Sequence, residues 1–426
     1  MTTTQTLHLL RDYESQNVLF SERDGSWPIV WDRAKGPHVW DAEGKKYLDL
    51  TAAFGVASAG HANSSVVKAG QKQMARLLHA MGDVHPHARK AELARELSRI
   101  TFERWTLSAG KTIFCNSGFE AVEAALKTAI LATDKREILA FTGGYHGLGY
   151  GSLNVTHRDF FHRPFRLQLR KFGKFVPFPN LRNDLATTES LIWHFLRRKR
   201  IGAVLVEPVQ ARGGIVVPPR EFLPLLRRMC DEFGALLITD EIYTGFGRTG
   251  KWFACEHSGV VPDLVCLGKA LTGGFPLSAC VGKADLMDDA WPASAGEAIH
   301  TSTFLGHPVG CAMALAQIKE IGRLNLCGRS AQLGRFLLDE LNKINSSKLK
   351  ISARGLGLMA GLQLNLPDGS PATAETFQAI KKMLRRGYIL LPEGAHGNVI
   401  SFTPPLTISK AQLSKTVHVL AEILAA

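Results

Sequence analysis

The sequence predicts a doubly wound α/β protein with a mostly parallel central sheet flanked by helices, plus a small α+β domain built from both chain ends. Three observations carry this. Short, nearly unbroken apolar runs at 111–115 (KTIFC), 137–141 (EILAF), 201–206 (IGAVLV), 235–239 (ALLIT) and 263–267 (DLVCL) are bounded by Gly, Pro or Asp, as in strands buried on both faces. Helical periodicity fills the intervals: after Pro218-Pro219, residues Phe222, Leu226, Met229 and Phe233 share one face, and Gly234 ends the helix. The chain ends read differently, without this alternation.

Taken in order, the first 55 residues are loop-rich, with Trp27 and Trp31 followed by a hairpin, VWDAEGKKYLDL, that turns at Ala42 to Lys45. Beyond residue 325 the pattern is a helix through Leu333, Phe336, Leu337, Leu341 and Ile344, then the strand GLMAGLQL and a helix ending at Arg386. Two strands (YILLP, NVISF) and a final helix with Leu413, Val417, Leu420 and Leu424 in line complete it. Residues 1–55 and 326–426 are expected to form the small domain, and 56–325 the large one.

The 426 residues are 45% hydrophobic and 21% charged, which excludes disorder for most of the chain. The N-terminus lacks a secretory signal pattern and no run approaches 18 apolar residues, so a soluble, cytoplasmic protein without a membrane partner is expected. Seven widely spaced cysteines contain no Cys-x-x-Cys pair, and Pro86 breaks the His85-x-His87 pair, so neither disulfides nor a metal site are expected. The formal charge of +13 and the basic, aromatic stretch from Arg158 to Lys174 raise a nucleic-acid-binding alternative. Against it, no nucleic-acid motif appears, and Arg197-Arg198-Lys199-Arg200 falls at a helix end, where cations complement the dipole, so no nucleic-acid partner is expected.

Among the motifs, Gly245-Phe-Gly247-Arg-Thr-Gly250-Lys251 imitates a nucleotide loop but fails as one. Trp252 replaces the Ser or Thr that would hold magnesium, and Asp240 and Glu241 would repel a pyrophosphate. Four other motifs follow strands. Asn116-Ser117-Gly118-Phe119-Glu120 opens a helix with a capping box, and its N–H groups and dipole also suit a phosphate. Gly143-Gly144-Tyr145-His146-Gly147 offers a ring for stacking. Thr239-Asp240-Glu241-Ile242-Tyr243 puts a carboxylate at a strand end; continued strand alternation would send Asp240 and Ile242 to one side, Glu241 and Tyr243 to the other. Leu267-Gly268-Lys269-Ala270 puts an amine in apolar surroundings that lower its pKa and make it a nucleophile. Each alone has an ordinary structural explanation; together they meet the requirements of pyridoxal 5′-phosphate.

With these residues in place, the sequence resembles the class III pyridoxal-phosphate aminotransferases, the group of 4-aminobutyrate, ornithine and acetylornithine aminotransferases. The matching stretches are NSGFEAVEAALKTA, GGYHG, VEPVQARGG, the run from LLITDEIYTGFGRTG to LGKALTGGFPLSA, and HTSTFLGHPVGCAMALA. The resemblance implies the type I fold of pyridoxal-phosphate enzymes and transfer of an amino group from an amine or amino acid to a 2-oxo acid, pyruvate or 2-oxoglutarate. It implies that Lys269 carries the cofactor as an aldimine and shuttles the proton, passing through a ketimine and pyridoxamine, while Asp240 keeps the ring nitrogen protonated. Ser117, Gly118 and the N–H of Phe119 would take the phosphate, with Thr303 from a second subunit of a homodimer. Tyr145, with His146 beside it, would stack on one ring face and Ile242 on the other, and Glu207 would stand nearby.

The chain also departs from that family. Leu148 stands where relatives usually carry an arginine after the Tyr-His-Gly triplet, and Ser401 where Gly-Asn-Val-x-Arg would end, which makes both candidate substrate contacts; Tyr243 replaces a glutamine that bonds to the cofactor in relatives and is a candidate cofactor contact, and Arg212 replaces a glutamate. Arg212 is therefore a candidate for carboxylate recognition, the alternative being an arginine at the pocket rim. An aminomutase, an epimerase or a decarboxylating aminotransferase shares the same lysine and ring and remains open at this stage.

Overall fold

The computed structural model describes residues 1–22, 25–180 and 185–425. In chain order its strands are β1 (Trp31–Lys35), β2 (His38–Asp41), β3 (Lys46–Asp49), β4 (Gly110–Cys115) and β5 (Glu137–Phe141). Next come β6 (Gly173–Val176), β7 (Ile201–Val206), β8 (Leu236–Asp240), β9 (Leu264–Leu267) and β10 (Ser278–Lys283). The last are β11 (Lys350–Gly355), β12 (Ala360–Asn365), β13 (Tyr388–Ile389), β14 (Leu391–Glu393) and β15 (Val399–Phe402).

The apolar runs become the central sheet, ordered β4-β10-β9-β8-β7-β5-β6. From β9 to β6 every pairing is parallel, whereas β10 lies antiparallel to both β9 and β4. Two strands that the apolar pattern did not announce, β6 and β10, thus complete it. Burial on both faces explains the continuous apolar runs. Leu139, Val204 and Leu237 join a core that includes the helix Phe222–Phe233, while their neighbours Ile138, Ala203 and Ile238 pack with the helix Gly118–Thr133. That second helix has alanines facing the sheet, with Ala121, Ala124, Ala125 and Ala129 fully buried. The helix Phe222–Phe233 stops at Gly234, whose left-handed φ of 60° any side chain would resist.

Two four-stranded sheets use the chain ends. The order β1-β2-β3-β13 joins the N-terminal hairpin to a C-terminal strand, with Tyr388 opposite Leu48 in parallel register. The antiparallel order β11-β12-β15-β14 lies wholly in the C-terminal part. The Gly245–Gly250 loop links these regions. Arg248 is fully buried and donates from Nη1 to the carbonyls of Leu358 (2.9 Å) and Pro404 (2.6 Å) and from Nη2 to Ser58 Oγ (3.3 Å). Burial pushes its pKa down to about 10. The glycines therefore let a buried cation tie distant segments together, and the loop's nucleotide-like spacing has a structural purpose. All seven cysteines are free and six are buried.

Candidate active site

Five strand ends converge on one cleft of about 390 Å³. The antiparallel β10 lets β4 run in the same direction as β9, so β4, β5, β7, β8 and β9 all deliver their following residues to one edge. This is the edge at which open α/β sheets bind ligands. The lining comprises Gly118, Phe119, Tyr145, His146, Gly147, Leu148, Glu207, Ala211, Arg212, Asp240, Ile242, Tyr243 and Lys269.

At the end of β4, Glu120 Oε2 accepts from the backbone N–H groups of Asn116 (2.8 Å) and Ser117 (2.7 Å), which fixes the start of the helix Gly118–Thr133. Ser117 Oγ is buried there without a hydrogen-bond partner. After β5, Gly147 adopts φ 108°, and a Cβ at this position would lie 2.3 Å from Phe119 Cβ. Only glycine lets these two loops close on one another.

Asp240, only 5% exposed, accepts at Oδ2 from His146 Nδ1 (2.8 Å) and at Oδ1 from the Ile242 N–H (3.1 Å). His146 is held in turn through its backbone N–H, which donates to Thr156 Oγ1 at 2.9 Å. Glu207 accepts from the N–H groups of Tyr145 (2.9 Å) and Ala211 (3.1 Å), so it braces two segments of the lining. Burial pushes its pKa up to about 7.

Lys269 follows β9 with φ 43°, a left-handed conformation rare for a side-chain-bearing residue. Its Nζ lies 4.0 Å from the centre of the Tyr243 ring. Burial lowers its pKa to about 8, although Asp240, Glu207 and Glu393 oppose the shift. The expected alternation past Asp240 does not hold, because β8 ends there. Ile242 and Tyr243 consequently both face the cleft, while Glu241 is fully buried and accepts from the N–H groups of Ala254 (2.9 Å) and Cys255 (2.8 Å).

Arg212 lays its guanidinium 5.0 Å from the Tyr145 ring centre, and its Nε is buried without a hydrogen-bond partner. At 4.0 Å from that Nε stands Glu393 Oε2, from a residue 8% exposed whose pKa burial raises. Sequence reasoning missed Glu393, although a lone carboxylate in the apolar run ILLPEG was a usable signal. It also missed Arg158, which donates to the Gly394 carbonyl. Three expected residues lie outside the lining, the first being Ser117, next to Gly118. Ser401 is buried in β15 with Oγ donating to the Leu391 carbonyl at 3.2 Å, and Thr303 is exposed.

The family profile described as aminotransferase class-III matches residues 19–424. The chain belongs to this family. Among relatives of this class-III aminotransferase, an acetylornithine aminotransferase of Methanosarcina mazei is 36% identical over 411 residues, spanning 96% of this chain and 95% of that one. A 5-aminovalerate aminotransferase of Pseudomonas aeruginosa is 35% identical over 93% of both chains. Among solved structures, a transaminase from a marine Virgibacillus superposes with TM-score 0.90 at 26% identity, over 99% of this chain and 98% of that one. An amine transaminase from an uncultivated Pseudomonas species, with pyridoxal phosphate bound, gives 0.86 at 29% identity, over 97% and 98%. The class-III aminotransferase is thus a pyridoxal-phosphate-dependent transaminase of the fold expected.

Proposed function

We propose that this cleft moves an amino group from an amine or amino-acid donor to a 2-oxo acid such as pyruvate or 2-oxoglutarate, with Lys269 carrying the cofactor. The observation that supports this most is a lysine with a pKa lowered to about 8, in one cleft with the Asp240–His146 pair and with Gly118 and Phe119, which follow the unpartnered Ser117 Oγ. The residues present fit the cofactor. A buried hydroxyl without a partner beside the N-terminus of a long helix suits a phosphate, and a buried carboxylate suits a protonated ring nitrogen.

Bound pyridoxal phosphate supplies an aldehyde and a protonated ring that withdraws electrons from the substrate carbon. In our reading Ser117, Gly118 and the Phe119 N–H hold the phosphate. Asp240, oriented by His146, holds the proton on the ring nitrogen, while Tyr145 and Ile242 cover the ring faces. Lys269 supplies the amine that carries the cofactor and moves the proton at the substrate carbon; a near-neutral pKa suits both tasks. Arg212 takes the carboxylate of the oxo acid, having a buried N–H to offer and Glu393 as its resting counter-charge. We further propose a cytoplasmic homodimer in which the partner subunit's Thr303 completes the phosphate site. The exposure of Thr303 on its own chain and the six buried thiols suit this.

The test follows the cofactor's absorbance. Mixing the yellow holoenzyme with a panel of amines and amino acids should bleach it, and adding pyruvate or 2-oxoglutarate should restore it. Lys269→Ala should do neither; bleaching at the parental rate in that variant would overturn the assignment. Arg212→Ala should raise the KM for the oxo acid about ten- to a hundredfold, the worth of one charged hydrogen bond, and leave bleaching by carboxylate-free amines unchanged. An unaltered oxo-acid KM would remove Arg212 from the site.

A further inference from the structure

The amino ends of β7, β5 and β6, at the edge of the sheet opposite the cleft, gather a charge that the transamination site does not use. These three strands are consecutive neighbours, and they start together: the Glu137 N–H donates to the Arg200 carbonyl (3.0 Å) and the Ile138 N–H to the Phe172 carbonyl (3.1 Å). Each start is preceded or flanked by cations. Lys135 and Arg136 lead into β5; Arg170, Lys171 and Lys174 surround the start of β6; Arg197, Arg198, Lys199 and Arg200 lead into β7. Strands lie about 4.8 Å apart, so the three segments that carry these nine cationic residues start side by side in one strip, and Lys174 and Arg200 from two of them reach the same carboxylate of Glu137.

The local acids do not neutralise it. Glu137 pairs with both Lys174 (3.5 Å) and Arg200 (3.1 Å), and Asp134 is the other carboxylate of these segments. Lys135 is engaged by the carbonyls of Phe233 and Gly234, at 3.1 and 2.6 Å. Arg136, Arg170, Lys171 and Arg197 through Lys199 are all exposed. Beside them Trp193 is 44% exposed, with the Arg197 guanidinium 4.8 Å from its ring centre.

We propose that this strip binds the phosphodiester backbone of a nucleic acid, without reading its sequence. Neighbouring cations are the composition of a phosphate-binding face, whereas membrane-seated surfaces need an apolar layer to insert. The Trp193 ring adds a surface on which an unpaired base stacks. The sequence raises this alternative only through its net charge and the stretch from Arg158 to Lys174, because the three cationic stretches lie apart in it and one alone looks like a helix-end complement. Sheet order brings them side by side.

The test uses the holoenzyme and labelled oligonucleotides of about 20 nucleotides, one single-stranded RNA and one duplex DNA, followed by fluorescence anisotropy. Binding of at least one should weaken at least tenfold between roughly 50 and 200 mM salt. Arg136→Glu with Lys199→Glu should weaken it at least tenfold more. With single-stranded RNA the same variant should lower the salt slope by about 1.4, because two phosphates are no longer neutralised. Arg335→Glu with Lys415→Glu changes the net charge equally on exposed sites elsewhere and should bind as the parent does, and transamination should be unchanged in both variants. The proposal is overturned if neither oligonucleotide binds, if the two double variants weaken binding equally, or if only phosphatidylserine vesicles bind.

Discussion

The amine of Lys269 shows how much of this site depends on one residue's surroundings. Buried beside the Tyr243 ring, it has a pKa of about 8 in the folded chain, against about 10.4 once unfolded. Between those values the folded form binds fewer protons than the unfolded form, so cofactor-free protein should gain stability as pH rises from about 8 to 10.4. Denaturant melts across that range should show the rise, and Lys269→Met should flatten it; an identical slope in the variant would contradict the lowered pKa. At this scale motifs at strand ends were the informative signal for position, and Tyr145, Asp240 and Lys269 all line the cleft. For Glu393 the sequence offered only a lone carboxylate in an apolar run, because the residue's meaning depends on Arg212, which the fold brings to within 4.0 Å of it. Strand alternation left the direction of Tyr243 open, because it cannot be carried past the residue where β8 stops.

Among the elements, strands buried on both faces announced themselves through continuous apolar runs, and their ends fell within a residue or two of expectation. The strands β1, β6, β10 and β11 did not, since β1, β6 and β11 carry exposed or half-buried residues and β10 follows a glycine-rich turn without a break. The Gly245–Gly250 loop shows the opposite error being avoided, as a motif shaped like a phosphate loop serves as a clamp. Its Arg248 makes three hydrogen bonds in the interior to segments far away in sequence. Arg248→Met should remove the buried charge but leave the carbonyls of Leu358 and Pro404 unpaired, costing about 2–5 kcal/mol. Thermal unfolding of the purified variant would read this, and an unchanged melting temperature would show that the clamp contributes nothing.

For the whole molecule, we propose that residues 1–55 and 326–426 act as one small domain against a large one of residues 56–325. The junction between the chain ends includes a short parallel strand pairing. The Leu48 and Leu50 N–H groups donate to the carbonyls of Gly387 (2.8 Å) and Ile389 (3.0 Å), which joins β3 to β13. In a chain ending at Arg386, the amides of Leu48 and Leu50 should lose their slow hydrogen exchange while those within β7 and β8 keep it; retained protection at Leu48 would argue against this dependence. The same pairing has a consequence for synthesis. The β3 strand emerges from the ribosome roughly 340 residues before the β13 strand that covers its edge. At about 5–20 residues per second it waits some 20 to 70 seconds with that edge open, a window in which a nascent hairpin is exposed to pairing with the wrong chain.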